Sequence, residues 1–213
     1  DQPAEDGLLF YSPMNYPHGD YIFYLDNTPL VAVAIRAVSL YITDISAYGI
    51  GIFNYTALLN IMLASLLLYL IGRQLIKNQW LIFCLAIALP WISPDFTRLA
   101  PGHINLTFSS FTLFTILSLL KLHAAQINRQ KLLWTALLTL NTVLASYAHL
   151  YYLAILLAFV NISLFSYWLI SLIRKQVNWW PLITMIGVTV LAAALVILPI
   201  QWTDAYYHLR TVD

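Results

Sequence analysis

Charged side chains are scarce in this chain of 213 residues. They make up only 9% of it, whereas hydrophobic residues make up 61% and the mean hydropathy is +0.77. Ordinary soluble domains carry about 25% charged residues. So few polar groups cannot cover a surface that faces water, which excludes an ordinary soluble domain. We therefore expect an integral membrane protein whose surroundings are the lipid bilayer.

Three further features are missing from the sequence. Cys84 is the single cysteine, so no disulfide can form within the chain. The Lys and Arg residues form no cluster with interleaved aromatic residues, so no nucleic-acid partner is expected. The N-terminal stretch DQPAEDG lacks the basic start and apolar core of a signal peptide. We expect the chain to be a fragment that enters on one side of the membrane.

Long apolar segments are abundant, and a helix needs about 20 such residues to cross a bilayer. We predict an all-α, polytopic transmembrane helical bundle of about six spans, at 47–71, 80–92, 104–120, 132–147, 150–173 and 180–200. The bundle would occupy 47–202, between an outer-face loop at 1–46 and an outer-face tail at 203–213.

The segment 29–42 is apolar but short, and Arg36 lies at its middle. At about 1.5 Å rise per residue it falls short of the bilayer core, and a central arginine in a span is costly. We predict a helix that begins at Pro29 and lies at the membrane interface.

Basic residues give the orientation of these spans. The turns after the first, third and fifth spans hold seven of the ten Lys and Arg residues and no acid. All nine acids then fall at the opposite face. Because Lys and Arg are enriched in cytoplasmic loops, the N-terminal loop is expected outside.

The outer loop at 15–29 reads NYPHGDYIFYLDNTP and holds two carboxylates, Asp20 and Asp26. Proline and glycine interrupt it, so no long helix is expected there. The carboxylates are candidates for a general base. Alternatively, both are turn formers that bond their own backbone, or Asp20 joins His18 and His103 as metal ligands.

The second outer loop, at 93–103, reads SPDFTRLAPGH and is followed by Asn105. Arg98, His103 and the N-terminus of the next helix are suited to hold a phosphate. Asp95 is three residues from Arg98, and the two are either part of a site or an ion pair at a helix end.

The third outer corner, SYAHLYY, contains His149 and Tyr152. These rings can hydrogen-bond a sugar or stack on it, although tyrosines at helix ends are also interface anchors. Arg36 can reach the same outer region, or it snorkels to the interface.

The stretches NYPHGDYIFYLDNTPLVAVAIRAV and SPDFTRLAPGHINL, with a looser H-Y corner at His149 and Tyr151, form a pattern. The residues that carry it are Tyr16, Pro17, Gly19, Asp26, Pro29, Leu30, Gly102, His103, Asn105 and Leu106. The pattern resembles bacterial polytopic membrane glycosyltransferases of the GT-C type.

This resemblance implies a bacterial inner-membrane enzyme that transfers a sugar from a polyprenyl-phosphate donor to a glycan or lipid acceptor at the outer face. It also implies that the chain lacks a first span. The implied roles are a base (Asp26 or Asp20, with Glu5 and Asp6 as competitors), phosphate binding (Arg98, His103, Arg36) and a substrate groove (Asp95, Asn105, His149, Tyr152). The resemblance does not fix the cofactor. Either basic side chains or a divalent metal would stabilise the charge of the leaving phosphate.

Two other classes of function remain: a transporter or flippase, and a non-catalytic membrane assembly subunit. Transporters carry polar or charged groups near the bilayer midplane. The predicted spans offer only amides and hydroxyls there, such as Asn60, Ser65, Asn141 and Asn161. This pattern favours chemistry at the surface.

Overall fold

The computed structural model describes residues 9–11, 20–21, 28–93 and 108–203, and seven α-helices dominate this part of the chain. The helices are α1 Pro29–Tyr41, α2 Gly49–Leu75, α3 Gln79–Ile92, α4 Ser109–Ala124, α5 Asn128–Ala148, α6 Tyr151–Ile173 and α7 Trp180–Thr203. A 3-10 turn, Ser46–Tyr48, leads into α2. Two short strands, β1 Phe10–Tyr11 and β2 Asp20–Tyr21, pair antiparallel.

Local sequence explains several helix ends. Pro29 begins α1, where its missing N–H costs no helical hydrogen bond. The Asn78 side chain caps α3 by accepting a bond from the Leu81 N–H at 3.1 Å. The turn between α5 and α6 is only two residues long, so these helices lie antiparallel.

The helices form a row in the order α3, α2, α4 and α5, and α6 and α7 pack together against α5. The small helix α1 also lies on α5. Leu67 and Ile71 of α2 meet Leu117 of α4. At the centre of α5–α7, Leu138, Val160 and Val188 are fully buried against one another.

The outer surface of the described bundle is apolar. Ile50, Trp80, Ile162 and Trp202 are each at least 68% exposed. Many of the most buried positions are instead hydroxyls and amides: Asn60, Ser110, Thr115, Ser118, Thr139, Asn141, Thr142, Ser146 and Thr184. This distribution fits a bilayer, where lipid replaces water outside and small or polar residues mediate helix packing.

Three helical segments among the described residues are long and apolar enough to cross a membrane: Ser46–Leu75, Tyr151–Ile173 and Trp180–Thr203. The apolar helices α1, α3 and α4 are shorter. The chain is therefore a helical membrane protein. The first, fifth and sixth predicted spans coincide with these three segments, whereas the other three coincide with helices that are shorter or, in the case of α5, less apolar.

Several details differ from the prediction: α2 ends at Leu75 rather than 71, and α4 ends at Ala124 rather than 120. The N-terminal region, predicted as loop, contains the β1–β2 ladder, whose two-residue strands are too short to give an alternating pattern. Helix α5 begins at Asn128 rather than 132, because Arg129 and Lys131 are good helix formers and extend it into the turn.

Candidate functional site

The β1–β2 ladder lies at one end of the bundle, together with the ends of four helices. We call this the ladder end. Leu9 and Tyr21 pack on Val196 and Ile200 near the end of α7, together with residues of the α5–α6 corner. The start of α4 joins them, because Phe111 meets Tyr152 edge to face with ring centroids 6.2 Å apart. Loops that share one face of the membrane are expected to meet, and the N-terminal region does pack on the α5–α6 corner. The second outer loop, which is expected to join them, lies outside the described residues beyond Ser93.

The α5–α6 corner holds two of the predicted site residues. His149 is buried, and its Nδ1 accepts a hydrogen bond from the Tyr151 N–H at 3.2 Å. Its ring stacks on Tyr151 at 4.7 Å. The Tyr152 N–H bonds the His149 carbonyl at 3.0 Å, which fixes the two residues together.

Arg36, the third predicted residue with a described side chain, lies half-buried on α1, and α1 packs against α5. Thr28 precedes this helix with φ 50°, in the left-handed region, and is 1% exposed. A β-branched residue in that region is a backbone outlier, and such outliers cost about 1–3 kcal/mol and cluster at functional sites. The strained residue follows Asp26 by two positions.

The remaining predicted site residues lie outside the described part of the chain: Glu5, Asp6, Asp26, Asp95, Arg98, His103 and Asn105. The backbone of Asp20 is described, and it pairs with Tyr11 in the ladder. Among the described residues, no three His, Cys, Asp or Glu side chains come together to hold a metal ion. These roles stay predictions.

Asp44 is an exposed acid that lies just before the turn into α2. Its carboxylate accepts a hydrogen bond from the Ser46 N–H at 2.9 Å. Hydrogen bonds from the Ser46 hydroxyl and N–H hold the pKa of Asp44 below its ordinary value. This carboxylate is occupied in starting a turn, which makes it a useful reference for the acids of the proposed site.

The amides and hydroxyls at mid-depth form bonds between helices. Asn141 Nδ2 of α5 donates to the Phe111 carbonyl at 3.0 Å and to Thr115 Oγ1 at 2.9 Å, both on α4. Between α6 and α7, Thr189 donates to Asn161 Oδ1 at 3.0 Å. The sequence identified these amides as mid-depth polar groups, but not their partners, which lie 26 to 30 residues away along the chain.

Asn60 of α2 extends the same pattern, since its Oδ1 accepts from the Ser110 N–H at the start of α4 at 3.4 Å. Thr135 of α5 lies 3.3 Å from Thr184 of α7 through their hydroxyl oxygens. Four pairs of neighbouring helices (α2–α4, α4–α5, α5–α7 and α6–α7) are thus joined by polar contacts, and these side chains are engaged in structure.

An apolar cavity of about 340 Å³ lies between α1 and the start of α2. Its lining is aliphatic apart from one hydroxyl: Leu30, Val31, Ala34, Ile35, Val38, Ile45, Ile52 and Thr56. The first residue of the lining, Leu30, follows Asp26 by four positions in the sequence. Its position was not predicted, because it depends on how α1 folds back toward α2.

A second cavity, of about 220 Å³, lies at the opposite end of the bundle. We call this end the basic end, because it holds Arg73, Lys77, Lys121, Arg129, Lys131, Arg174 and Lys175. The cavity lies between α4, α5, α6 and α7, and His123, Lys131 and Trp180 are part of its lining. Sequence reasoning assigned no site here, since two whole helices, α5 and α6, separate His123 from Trp180 along the chain.

A family described as a domain of unknown function, DUF6311, matches residues 2–205. The match covers nearly the whole chain, so the chain belongs to the DUF6311 family. No curated protein and no solved structure matches it.

Proposed function

We propose that this member of the DUF6311 family is a bacterial inner-membrane enzyme that transfers a sugar from a polyprenyl-phosphate donor to a glycan or lipid acceptor. In this proposal α2 to α7 all cross the membrane, α1 lies at the interface, and the ladder end faces the outside. The acid-free basic turns support this orientation, because Lys and Arg favour the cytoplasmic side.

The apolar cavity between α1 and α2 is the observation that carries the proposal. Its volume of about 340 Å³ is within the range of about 300–1,000 Å³ for ligand pockets. An aliphatic lining beside an interfacial helix suits the isoprenoid chain of a lipid-linked donor. The lining begins at Leu30, four residues after Asp26 in the sequence, and in this proposal the phosphate of a bound donor lies near the polar residues of the ladder end.

The chemistry needs one base and a group that stabilises the leaving phosphate. Asp26 or Asp20 would remove the proton of the acceptor hydroxyl as that oxygen attacks the anomeric carbon. The lipid phosphate departs with the electron pair of the broken bond, and Arg98 and His103 would stabilise its charge. Arg36 is a further candidate for this phosphate.

His149 and Tyr152 would line the sugar-binding groove, together with Asp95 and Asn105. The fixed pairing of His149 and Tyr152 at the ladder end supports this assignment. The strained conformation of Thr28 supports a functional role for the segment that includes Asp26.

The transporter alternative is less well supported. A transporter would use polar groups near the midplane to hold its substrate. In the described helices the amides of Asn60, Asn141 and Asn161 instead bond neighbouring helices. A non-catalytic subunit would use the ladder end to bind another protein, and it would transfer no sugar.

The transfer assay uses purified full-length protein and labelled polyprenyl-phosphate sugars. Asp26→Asn and Asp20→Asn are compared with Asp44→Asn, the same change at the acid that only starts a turn. One of the first two should lose at least about 100-fold in rate, the size of general-base effects, while Asp44→Asn retains activity. If both site variants keep full activity, the assignment of the base is refuted. If the wild-type protein transfers sugar from none of the donors tested, the proposed glycosyltransferase activity is refuted.

The cavity is tested by filling it. Ala34→Phe places a ring in the cavity, whereas Ala47→Phe makes the same change outside its lining. We expect Ala34→Phe to raise KM for the lipid donor while KM for the acceptor stays unchanged. Equal effects of the two variants on KM would contradict a donor site between α1 and α2.

A further inference from the structure

The cavity at the basic end presents hydrogen-bond donors from three helices and their turns. Lys131 of α5, His123 of α4, Tyr167 of α6 and Trp180 of α7 contribute to its wall, and Asn178 lies in the turn before α7. His123 packs edge to face on Tyr167, with ring centroids 4.2 Å apart. A cavity of about 220 Å³ has room for several non-hydrogen atoms, since one water occupies about 30 Å³ in the liquid.

Charge around this cavity has one sign. The turns at the basic end are fully described, and their sequence contains no Asp or Glu. Lys131 Nζ lies 5.7 Å from the centroid of the Trp180 ring, a cation–π contact that fixes its position. Lys131 therefore has no carboxylate partner among the described residues, and its charge is available to an anion.

An oxyanion bound in the cavity would neutralise the charge of Lys131, which is part of the wall. The indole nitrogen of Trp180 is buried away from the cavity, so the contacts would come from Lys131 and the other polar side chains of the lining.

We propose that the cavity at the basic end binds a phosphate group, either the headgroup of an anionic phospholipid or a free phosphate. Basic pockets between transmembrane helices at one membrane face bind such headgroups. Leu119, Leu122 and Leu164 form the apolar part of the same wall, where the first carbons of a lipid would lie. The site is separate from the proposed transferase site at the ladder end, and it does not depend on that assignment.

Binding is measured on the full chain in micelles of a neutral detergent, as the shift of the thermal unfolding midpoint with ligand concentration. The probes are phosphatidylglycerol, zwitterionic phosphatidylcholine and inorganic phosphate. Lys131→Gln should weaken phosphatidylglycerol binding about fivefold, the effect of one basic residue near a membrane surface. Arg129→Gln is the matched control, because Arg129 is exposed on the same helix and does not line the cavity.

Trp180→Phe is a second variant that replaces the indole under Lys131 by a smaller ring, and it should also weaken binding because it weakens the cation–π contact that positions Lys131. A shift with phosphatidylglycerol and not with inorganic phosphate identifies a lipid headgroup, and the reverse identifies free phosphate. Equal loss in Lys131→Gln and Arg129→Gln would show diffuse charge attraction and overturn the site. A shift with phosphatidylcholine as large as with phosphatidylglycerol would also overturn it, because the ligand would not need a net negative charge.

Discussion

The interhelical bonds of Asn141 give the sharpest prediction about the stability of this bundle. Asn141 is 7% exposed, and its amide nitrogen makes two bonds to α4, to the Phe111 carbonyl and to Thr115 Oγ1. Asn141→Ala removes both bonds and leaves the Phe111 carbonyl and Thr115 hydroxyl with one partner fewer. The change should therefore loosen the contact between α4 and α5.

The expected magnitude follows from the number of bonds. Interhelical hydrogen bonds in membrane proteins contribute about 0.6 kcal/mol each, so the two bonds contribute about 1.2 kcal/mol. Loss of the buried amide volume adds a packing term of about 1 kcal/mol. We expect Asn141→Ala to lower the free energy of unfolding by about 2 kcal/mol in total.

The assay is reversible unfolding in mixed micelles titrated with SDS, followed by helical circular dichroism. Asn54→Ala is the matched control, because Asn54 is an exposed asparagine on the outer surface of α2. It should change the free energy of unfolding by less than about 0.5 kcal/mol. If the two variants are equally stable, the bonds of Asn141 contribute nothing and the reasoning is refuted.

A double-mutant cycle isolates one of the two bonds. Thr115→Val removes the hydroxyl that accepts from Asn141 but keeps the shape of the side chain. The coupling energy between Asn141→Ala and Thr115→Val should be about 0.6 kcal/mol. A coupling of zero would mean that the Asn141–Thr115 bond does not stabilise the native state.

Three further predictions concern helix contacts and the membrane. Gly72→Ala should lower the free energy of unfolding by about 1 kcal/mol, because the added Cβ would lie 2.6 Å from Ile82 Cγ2. Gly187→Ala is the control, since its Cβ would meet nothing within 4 Å, and it should be neutral or stabilising in the same SDS titration. Asn78→Ala should lower the free energy of unfolding by about 1 kcal/mol through loss of the α3 cap, while Asn78→Asp keeps it. Cys84 is exposed on α3 and should resist a charged maleimide in intact membranes but react in SDS; rapid labelling in membranes would show that this face of α3 meets water.

The helices of this protein could be predicted from sequence because each coincides with an apolar run bounded by polar turns. The basic end could be predicted for the same reason, since Lys and Arg occupy every second turn. The boundaries were less certain, as the early start of α5 at Asn128 shows. A membrane span is recognised by its mean hydropathy, and that average does not register one helical turn added at either end.

Contacts between helices could not be predicted. The sequence shows that Asn141 and Asn161 are polar groups within apolar segments, but a bond to Thr115 or Thr189 depends on helix rotation and on which helices are neighbours. The close approach of Gly72 to Ile82 has the same origin. Both cavities also arise from packing, so they leave no local pattern in the chain.

Part of the candidate site could be predicted and part was missed. His149 and Tyr152 were expected beside the N-terminal region because their loops share one membrane face, and the ladder does pack on that corner. The apolar cavity beside α1 was missed, because aliphatic residues such as Ala34 and Val38 look the same whether they face lipid or a ligand. Polar residues therefore signal a site in the sequence of a membrane protein more clearly than apolar ones.

The distribution of polar groups also bears on where a ligand can bind. In lipid, the apolar surfaces of helices gain little from burial against one another, so hydrogen bonds and close packing must set the arrangement of the helices. The described mid-depth amides of Asn60, Asn141 and Asn161 serve that purpose. A ligand that bound them would have to break contacts between helices. Binding at the two ends of the bundle requires no such loss, and the structure has a cavity at each end.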